Sequence, residues 1–589
     1  MPTIADTIVE RLRDWGVRRV FGYAGDGIDP LLAAFRRADG DPELVTARHE
    51  EMAAFMASGH AKYTGDIGVC LATQGPGAIH LLAGLYDAKL DRKPVVAIVG
   101  QVVTSALGSG YQQEVDLPNL FKDVCGQYLQ TVVAPEQLPM VLDNAFRTAI
   151  ATSSPTCVII AHDVQQADAP EQLPHEHGMV PSAAVLARPR VVPDVTQLEQ
   201  AAQLLDAGER VALLVGQGAV GAVAEVEAIA ERLQAGITTS LLAKPLLDEQ
   251  APNHCGVMGH LGTTASVDLM TSCDTLLIVG SSDPWTEFYP PPGQVRTVQI
   301  ELTGRNVGAK YPVDVPLVGD AAATLRELLP LLTRERDGTW RGQVELAATR
   351  WRSIAAARVA EPADPLNPQA VVAAASARLP DDVRVAVDVG SVTYWYARFL
   401  TLPTGAPAHL SSTLACMGCG LPYGLAAKLD SPERPVLVMA GDGAVQMSGL
   451  GELVTVSHRW RGWADPRFVV LVLHNQDLAE VSWEQREMEG DPRYSVSQDV
   501  PAFPYAGYAE LLGLRGIRVD SPGLLDQAWA DAFAADRPYV IEAVVDPDVP
   551  MLPPRLPEEK LETMLSGLAQ EADGDETIAR VEQQRRQEE

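Results

Sequence analysis

Short apolar runs that alternate with longer amphipathic stretches are the feature that most restricts the fold of this chain. Such runs include VCLATQGPG from residue 69, VVAIVGQ from 95, VALLVGQGA from 211, TLLIVGSSD from 275 and VLVMAGDG from 436. Continuous apolar strands separated by helices are typical of parallel sheets covered on both faces. Many runs end in Gly or Asp, and ligands of open α/β sheets bind beyond the carboxyl ends of strands. The sequence therefore predicts an α/β protein with doubly wound parallel sheets and with sites at the strand ends.

Two proline-rich and charge-rich stretches, near residues 166–193 and 334–367, interrupt this alternation. Such stretches are typical of domain boundaries, and a chain of 589 residues is too long for one hydrophobic core. We expect three α/β domains and a polar tail, whose Glu, Gln and Arg content predicts a solvated helix. The expected boundaries are 1–170, 190–335 and 360–550 for the domains and 551–589 for the tail.

The charge balance limits the expected partners. The formal net charge is −31, from 46 Lys and Arg against 77 Asp and Glu. This balance argues against nucleic-acid or anionic membrane surfaces, because both need clustered positive charge. The N-terminus places Ile4, Ile8, Leu12 and Trp15 at helical spacing, which predicts an amphipathic helix rather than a signal peptide. We expect a cytoplasmic protein that acts on small molecules, without a nucleic-acid partner or a membrane anchor.

The seven cysteines are an odd number scattered through apolar segments, a pattern typical of buried thiols in a reducing compartment. Cys416 and Cys419 form a CxxC pair, which can be half of a zinc site or a redox pair. No second CxxC or His-x-His motif lies nearby in the sequence. Structural thiols are therefore the favoured interpretation.

The glycine-rich stretch VGQGAVG places Gly216, Gly218 and Gly221 in GxGxxG spacing, between a predicted strand at Val211–Val215 and a predicted helix at Ala222–Gln234. Glycines let the backbone approach a pyrophosphate, and the helix N-terminus supplies N–H donors. The motif alone is weak evidence, and no acidic residue follows a clear second strand as in dinucleotide-dependent dehydrogenases. A dehydrogenase is therefore disfavoured.

The stretch RHEEMAAFMASGHAKYTG places Glu50 and Glu51 at the start of an alanine-rich helix that is expected to end at Gly65. Acidic residues in a first turn stabilise a helix through its dipole, which suffices to explain at least one of the pair. It does not explain why His49 and Glu50 begin a helix that is otherwise so apolar. A carboxyl group in apolar surroundings could instead exchange a proton with a bound heterocycle.

The sequence Gly441-Asp442-Gly443 follows one apolar run, and Asn475 follows another, RFVVLVL. Asp-Gly pairs are common in turns, so this motif also has a purely structural explanation. Both polar residues would, however, lie at the carboxyl ends of strands in one sheet. A carboxylate, an amide oxygen and a backbone carbonyl suit Mg²⁺ or Ca²⁺, which would bridge them to phosphate oxygens. A divalent metal with a diphosphate is therefore predicted at this sheet edge.

These residues resemble the thiamine diphosphate enzymes of the pyruvate oxidase and acetolactate synthase group. The resemblance extends from about residue 4 to about residue 550. Its motifs occur in the order of the family, as RHEEMAAFMASGHAKYTG, ATQGPGAIHLLAGLYDA, GSGYQQE, VGQGAVG, GVMGHLG, DVGS, SSTLACMGCGLP and GDG followed by HNQD. The stretch GSGYQQEVDLPNLF is most similar to pyruvate oxidases.

The resemblance implies a role for each matching residue. Glu50 is expected to protonate the aminopyrimidine ring and so to promote formation of the reactive ylid. Asp442, Asn475 and the carbonyl of Asp477 are expected to bind Mg²⁺, and Met417 to hold the cofactor in its bent conformation. The residues implied on the substrate side are Tyr111, Gln113, Phe121 and the acid Glu484. Those implied in thiamine diphosphate-binding loops are Gly25, Gly75, Gly77, Gly390, Ser391, Ser411, Ser412, Gly441, Gly443 and Ala444.

The resemblance also implies FAD in the central domain and an oligomer. Gly216, Gly218 and Gly259 lie in two glycine loops at predicted strand ends, and Glu301 follows the strand TVQI where it could meet an adenosine hydroxyl. In the family the thiamine diphosphate lies between the first domain of one subunit and the third domain of another. A homodimer is therefore the expected minimum, and a homotetramer the expected assembly.

The sequence departs from the family pattern at three points. His474 stands where the family has the first Asn of its metal motif, and 30 residues separate it from Gly443, more than in typical members. Gln112 replaces an aromatic residue found in many relatives, which bears on the substrate.

The expected reaction is decarboxylation of a small, pyruvate-like 2-oxo acid, with the enamine oxidised by FAD as in pyruvate oxidase. One alternative is a non-oxidative carboligase or lyase of the acetolactate synthase type. The other is a catalytically silent paralogue that binds the cofactor for assembly or regulation.

Overall fold

The computed structural model describes residues 1–170 and 176–588. Residues 171–175 of the expected boundary at 166–193, and Glu589 at the end of the tail, lie outside the described residues.

Three parallel six-stranded sheets form the framework of the protein. The first contains β1 (Arg19–Gly22), β2 (Glu43–Thr46), β3 (Gly68–Ala72), β4 (Val95–Gln101), β5 (Leu129–Val132) and β6 (Pro155–Ala161). The second contains β7 (Val211–Val215), β8 (Gly236–Thr239), β9 (His254–Val257), β10 (Thr275–Val279), β11 (Arg296–Glu301) and β12 (Val315–Val318). The third contains β13 (Arg384–Val387), β14 (Ala408–His409), β15 (Val436–Gly441), β16 (Phe468–His474), β17 (Arg515–Val519) and β18 (Tyr539–Val544).

Helices flank each sheet. Those of the first domain are α1 (Ile4–Asp14), α2 (Asp29–Arg37), α3 (Glu50–Thr64), α4 (Pro76–His80), α5 (Leu82–Leu90), α6 (Leu117–Phe121), α7 (Leu138–Thr152) and α8 (His162–Gln166). Those of the second are α9 (Val195–Ala207), α10 (Val223–Leu233), α11 (Thr264–Ser272) and α12 (Ala321–Leu328), followed by the connecting helix α13 (Thr339–Val359). Those of the third are α14 (Pro368–Ser376), α15 (Ser391–Phe399), α16 (Gly420–Asp430), α17 (Asp442–Ala444), α18 (Leu450–Arg459), α19 (Ala479–Glu484), α20 (Ser495–Gln498), α21 (Tyr505–Leu511) and α22 (Pro522–Ala534), and the tail forms α23 (Glu558–Leu568) and α24 (Gly574–Glu588).

The strand orders identify where ligands should bind. They are β2-β1-β3-β4-β6-β5, β12-β11-β10-β7-β8-β9 and β14-β13-β15-β16-β18-β17. In each sheet the chain grows to one side of its first strand and then to the other, so the order reverses between β1 and β3, between β7 and β10, and between β13 and β15. Such reversal points open a crevice at the carboxyl ends of the strands, where doubly wound proteins bind their ligands. The predicted fold class is confirmed.

The first and third domains share one hydrophobic core. Helix α3 packs on α16 through Phe55 and Tyr423, whose ring centroids lie 6.1 Å apart with the planes 71° from parallel. Gly59 allows this approach, because a Cβ at Gly59 would lie 2.9 Å from the Tyr423 ring. The contact fixes α3, whose first residue is Glu50, against the domain that carries Asp442.

The expected boundary near 334–367 contains a 21-residue helix, α13. Its Trp340, Val344 and Trp351 are buried in a hydrophobic cluster of the second domain. This connection is therefore a packed helix and not an extended linker.

The prediction of a solvated helix for the tail is wrong. Leu561, Met564 and Leu568 on α23 and Val581 on α24 are buried in the core of the third domain. The apolar residues are sparse in sequence but recur at three- to four-residue spacing along α23, so one face of the helix is apolar and packs. In the part of the chain that the structure describes, no helix is long and apolar enough to cross a membrane.

Candidate cofactor and active site

Asp442 lies at the reversal point of the third sheet, directly after β15. Its side chain is buried, with only 1% of the residue exposed. One carboxylate oxygen accepts the backbone N–H of Gly443 at 2.9 Å and the other accepts that of Gln476 at 2.7 Å. Burial raises the pKa of Asp442 to about 6, although these two hydrogen bonds oppose the shift.

The other two predicted metal ligands follow the neighbouring strand. Strands β15 and β16 pair in parallel with Gly441 opposite Leu473, so Asp442 and Asn475 emerge at the same sheet edge. The Asn475 side-chain oxygen accepts the backbone N–H of Asp477 at 3.0 Å. The Asp477 carboxylate faces away to Ser482 and Arg493, at 2.8 Å from each, which leaves its backbone carbonyl as the predicted donor.

The donor set fits a hard divalent cation. Asp442 is a buried carboxylate, and among residues 1–170 and 176–588 no Lys or Arg nitrogen pairs with it within 4.0 Å. A buried charge without a partner is costly, and a metal ion would remove that cost. Carboxylate, amide and carbonyl oxygens are the ligands that Mg²⁺ prefers in proteins. The arrangement can hold Mg²⁺ with Asp442, Asn475 and the Asp477 carbonyl.

His474, which departs from the family motif, is part of the buried interior. Its Nδ1 lies 3.0 Å from Oε1 of Glu542, and its ring meets the Tyr505 ring edge-on at 5.2 Å. Although burial opposes it, hydrogen bonds from His474 and Ala506 hold the pKa of Glu542 below its usual range. The contact of His474 with Glu542 therefore ties β16 to β18, and His474 also acts on Asp442 by opposing the rise in its pKa.

The predicted residues Ser411, Ser412 and Met417 lie on one loop of the third domain. The Ser411 hydroxyl accepts the backbone N–H of Cys416 at 3.2 Å. Asp388 at the end of β13 accepts the N–H groups of Gly418 and Gly420 at 2.7 and 2.9 Å, so it fixes the turn on which Met417 is carried. The neighbouring N–H of Ser412 bonds to Asp91 of the first domain at 3.1 Å. All seven cysteines are free thiols, as predicted for CxxC, and burial raises the pKa of Cys416 to about 12.

Two glycines keep the crevice of the third sheet open. Gly390, which precedes Ser391 and α15, has φ +120°, and a Cβ built on it meets no atom within 4 Å. Gly441 also faces open space, while the Met417 side chain lies 3.5 Å from the position of a Cβ at Gly443. Since Gly390 follows β13 and Gly441 ends β15, the open space lies at the reversal point. Ala444, by contrast, is buried in the first turn after Asp442.

Glu50 lies in the first domain, at the first residue of α3. It is 8% exposed, and its Oε2 lies 3.0 Å from Nδ1 of His80 on α4. Its Oε1 would lie 3.1 Å from a Cβ at Gly77, so Gly77 makes room for the carboxyl group. His49 caps α3 by accepting the backbone N–H of Glu51 at 3.3 Å. The predicted helix is confirmed, and it ends at Gly65 with φ +73°.

The loops beside Glu50 contain the other predicted residues of the first domain. A Cβ on Gly25 would come within 2.5 Å of Thr73, and Gly75, with φ +60°, is covered by Gln113. Gln113 accepts the side-chain amide of Gln74 at 2.9 Å. Phe121 is fully buried in the shared core and offers no exposed surface, so its contact with substrate stays a prediction. The neighbouring Tyr111 is 59% exposed.

Glu484 ends α19, the helix that follows the loop of Asn475 and Asp477, and belongs to a group of acids. Burial and the charge of Glu487 raise the pKa of Glu484, and His260 opposes them. Burial, followed by the charge of Glu484, raises the pKa of Glu480 to about 8. Sequence reasoning missed Glu480. Its i, i+4 spacing from Glu484, which places both on one helix face, is the signal that could have found it.

The central glycines have a structural explanation. A Cβ on Gly216 would lie 2.2 Å from the Gly280 carbonyl oxygen, and one on Gly218 would lie 2.8 Å from the Gly280 Cα. The two loops at the reversal point of the second sheet therefore pack on each other, which requires glycine with or without FAD. A Cβ on Gly259, where φ is +99°, would meet the Trp285 ring at 2.7 Å. Glu301 ends β11 and lies 3.7 Å from Arg92 of the first domain.

Comparison with known proteins places this arrangement in a family. Family models match residues 2–120 as the thiamine pyrophosphate enzyme N-terminal TPP binding domain, 198–328 as the central domain and 388–543 as the C-terminal TPP binding domain. The chain belongs to the thiamine pyrophosphate enzyme family. It is a thiamine pyrophosphate-dependent enzyme of the pyruvate oxidase and acetolactate synthase group.

The relatives of this thiamine pyrophosphate enzyme carry several names. The chain is 33% identical to YdaP of Bacillus subtilis (strain 168), named as a thiamine pyrophosphate-containing protein, over 93% of this chain and 92% of that one. It is 29% identical to a pyruvate oxidase of Lactiplantibacillus plantarum, over 94% and 89% of the two chains. It is 31% identical to the acetolactate synthase isozyme 2 large subunit of Escherichia coli (strain K12), over 92% and 95%.

Proposed function

We propose that this enzyme decarboxylates a small, pyruvate-like 2-oxo acid with thiamine diphosphate and Mg²⁺, and that FAD then oxidises the product, as in pyruvate oxidase. The observation that carries the proposal is the buried Asp442 carboxylate at the reversal point of the third sheet, which no Lys or Arg of the described residues pairs with. Thiamine diphosphate, when bound, would supply a carbon nucleophile and a cationic ring that serves as an electron sink for decarboxylation.

The residues of the chain bind, orient and move protons. Asp442, Asn475 and the Asp477 carbonyl hold the metal ion, and the open space beside Gly390 and Gly441 admits the diphosphate. Glu50 gives and takes a proton at Oε1, because its Oε2 is engaged by His80. Glu480 and Glu484, one turn apart on α19, lie beyond the metal-binding loop and are candidates for contact with the substrate.

Binding of the metal and diphosphate can be tested by calorimetry on the apo protein. Asp442→Ala should lose Mg²⁺ and thiamine diphosphate together, because the carboxylate is the main protein charge on the ion. Asp526→Ala is a matched control, since Asp526 lies on α22 of the same domain and its side chain is 79% exposed. Unchanged cofactor affinity in Asp442→Ala would contradict the assignment of the site.

FAD in the central domain separates the oxidase from the carboligase of the acetolactate synthase type. Its support is the position of Gly216 and Gly218 at a reversal point, with Glu301 at the end of the next strand but one. We expect purified protein to be yellow and a 2-oxo acid from a screen to bleach it under anaerobic conditions. Protein that takes up no flavin on reconstitution, or flavin that no substrate reduces, would favour the carboligase.

We further propose a cytoplasmic homodimer at minimum, and a homotetramer as the complete assembly. In the family that the sequence resembles, the cofactor lies between two subunits, so we expect an isolated subunit to bind it poorly. Light scattering after size exclusion, with and without cofactor, measures the mass. A monomer that retains full cofactor affinity would refute this part of the proposal.

A further inference from the structure

Glu50 contacts a histidine that is partly exposed to solvent. The side chain of Glu50 is 11% exposed, whereas that of its partner His80 is 40% exposed. The two are joined by the 3.0 Å contact between Nδ1 of His80 and Oε2 of Glu50. His80 ends the short helix α4, so its ring bridges the buried carboxyl group and the solvent.

The neighbouring histidine has a different role. His49 lies with its ring centroid 4.3 Å from that of His80, and His49, Glu50 and His80 bring possible metal-ligand atoms within 4.8 Å of one another. However, Nδ1 of His49 accepts the N–H of Glu51, and Nδ1 of His80 faces Glu50. A metal ion bound through these nitrogens would displace the helix cap and the His80 contact. Other titratable groups near the pair are Glu51, whose carboxylate lies 3.9 Å from Nδ1 of His49, and Cys416 of the third domain, which interacts with Glu51.

We propose that His80 relays protons between Glu50 and solvent. This inference rests on the proposed role of Glu50 in exchanging a proton with the cofactor. His80 acts through Glu50 and is therefore a positioning residue rather than a catalytic one. Its Nδ1 holds Oε2 and leaves Oε1 as the atom that faces the bound ring.

The relay balances without a further reactant. To protonate the Glu50 carboxylate, the Nδ1–H bond of His80 breaks as the Oε2–H bond forms, and Nε2 takes a proton from water. The imidazole ends neutral, in its other tautomer. To deprotonate Glu50, the Oε2–H bond breaks as the Nδ1–H bond forms, and Nε2 releases a proton to water. This step restores the first tautomer. Each cycle of proton uptake and release therefore resets the ring without rotating it.

The test is the exchange of the reactive cofactor C–H with D₂O, followed by NMR on the holoenzyme. His80→Ala should slow the exchange at least about tenfold, toward the roughly 10²–10⁴-fold contribution of a positioned acid–base group. Added imidazole should restore the rate in a concentration-dependent and saturable manner. His80→Asn, which keeps an N–H donor for Oε2, should retain cofactor affinity but show the same slow exchange.

Two controls separate the relay from a structural effect and from the role of Glu50. His49→Asn preserves helix capping and should leave exchange at the wild-type rate, with no response to imidazole. In apo protein labelled with ¹⁵N-histidine, Glu50→Gln should shift the ring nitrogen signals of His80, which tests the contact without cofactor. A wild-type rate in His80→Ala, or slow exchange that imidazole does not restore, would overturn the relay. Unchanged exchange in Glu50→Gln would instead overturn the proposed role of Glu50, with Glu51→Gln as its control.

Discussion

Replacing Lys62 by Met should open the contact between the first and third domains. The Lys62 ammonium is fully buried and bonds to Asp87 at 3.2 Å, Asp91 at 2.7 Å, the Tyr423 hydroxyl at 2.6 Å and the Leu410 carbonyl at 2.7 Å. The side chains of Lys62, Asp87 and Asp91 are all 0% exposed. Met fills a similar volume but leaves both carboxylates without their cation.

The free-energy cost of Lys62→Met follows from the burial of these charges. Removing one partner of a buried ion pair typically costs about 3–5 kcal/mol, because an uncompensated charge remains. At about 1.4 kcal/mol per factor of ten, the opening equilibrium should rise by roughly two to four orders of magnitude. Burial raises the pKa of Asp87 and the charge of Lys62 opposes it, so the variant should raise this pKa further. When the pKa of a carboxyl group is higher in the folded than in the unfolded state, the folded state becomes less stable as pH rises. The loss of stability in Lys62→Met should therefore be larger at about pH 8 than at about pH 5.

Hydrogen exchange by mass spectrometry measures the opening locally, which suits a protein of several domains. Amides of α3 and α16 should exchange faster in Lys62→Met, whereas those of α10 in the second domain should not change. Lys89→Met is the control, because the Lys89 pair with Asp123 is exposed and contributes about 1 kcal/mol or less. The triple variant Lys62→Met/Asp87→Asn/Asp91→Asn should recover part of the loss. Wild-type protection in Lys62→Met would refute the reasoning.

Three further perturbations test other parts of the structure. Gly77→Ala should keep the fold but slow cofactor C–H exchange, because the added Cβ would lie 3.1 Å from Glu50 Oε1; an unchanged NMR exchange rate would contradict this. Glu571→Gln should loosen the tail by about 1.5–3 kcal/mol, since it weakens the two-point contact with buried Arg486, and limited proteolysis of residues 558–588 should reveal it. Burial lowers the pKa of His254 to about 3, so the stability that neutral His254 contributes above about pH 6.5 is lost as pH falls toward 3. In His254→Gln, the free energy of unfolding measured with urea should therefore fall less steeply over this pH range.

Apolar continuity in the sequence predicted the central strands but not the edges. The runs at 95–101 and 436–441 are buried throughout, as expected for parallel strands covered on both faces. Edge strands Glu43–Thr46 and Arg515–Val519 are short, polar and partly exposed, so their composition resembles that of loops. The strand Tyr539–Val544 is central and buried but contains Glu542, whose partner His474 is 68 residues away in the sequence. Such a pairing cannot be seen before the fold is known.

The candidate site shows the same division. The residue types at strand ends, Asp442 and Asn475, could be predicted because the position in a parallel strand fixes the sheet edge. Asp388 and His80 could not, since each acts by a contact that depends on loop geometry. Asp388 holds the turn before α16, and His80 holds Glu50 across two helices. Sequence resemblance predicted Asp442, Asn475 and Glu50, and the structure shows the contacts of Asp388 and His80 beside them.

The tail illustrates why polar composition is a poor guide to exposure. Glu571 accepts two bonds from Arg486, which is 1% exposed, and a third from the backbone N–H of Arg493 at 2.8 Å. The Arg493 side chain in turn bonds to the Asp477 carboxylate at 2.8 Å. Because the carboxylate of Asp477 is held in this direction, its backbone carbonyl is left as the donor that we propose for Mg²⁺. Glu571, one of the charged residues that suggested a solvated helix, therefore ties the end of the chain to the loop that carries Asn475 and Asp477.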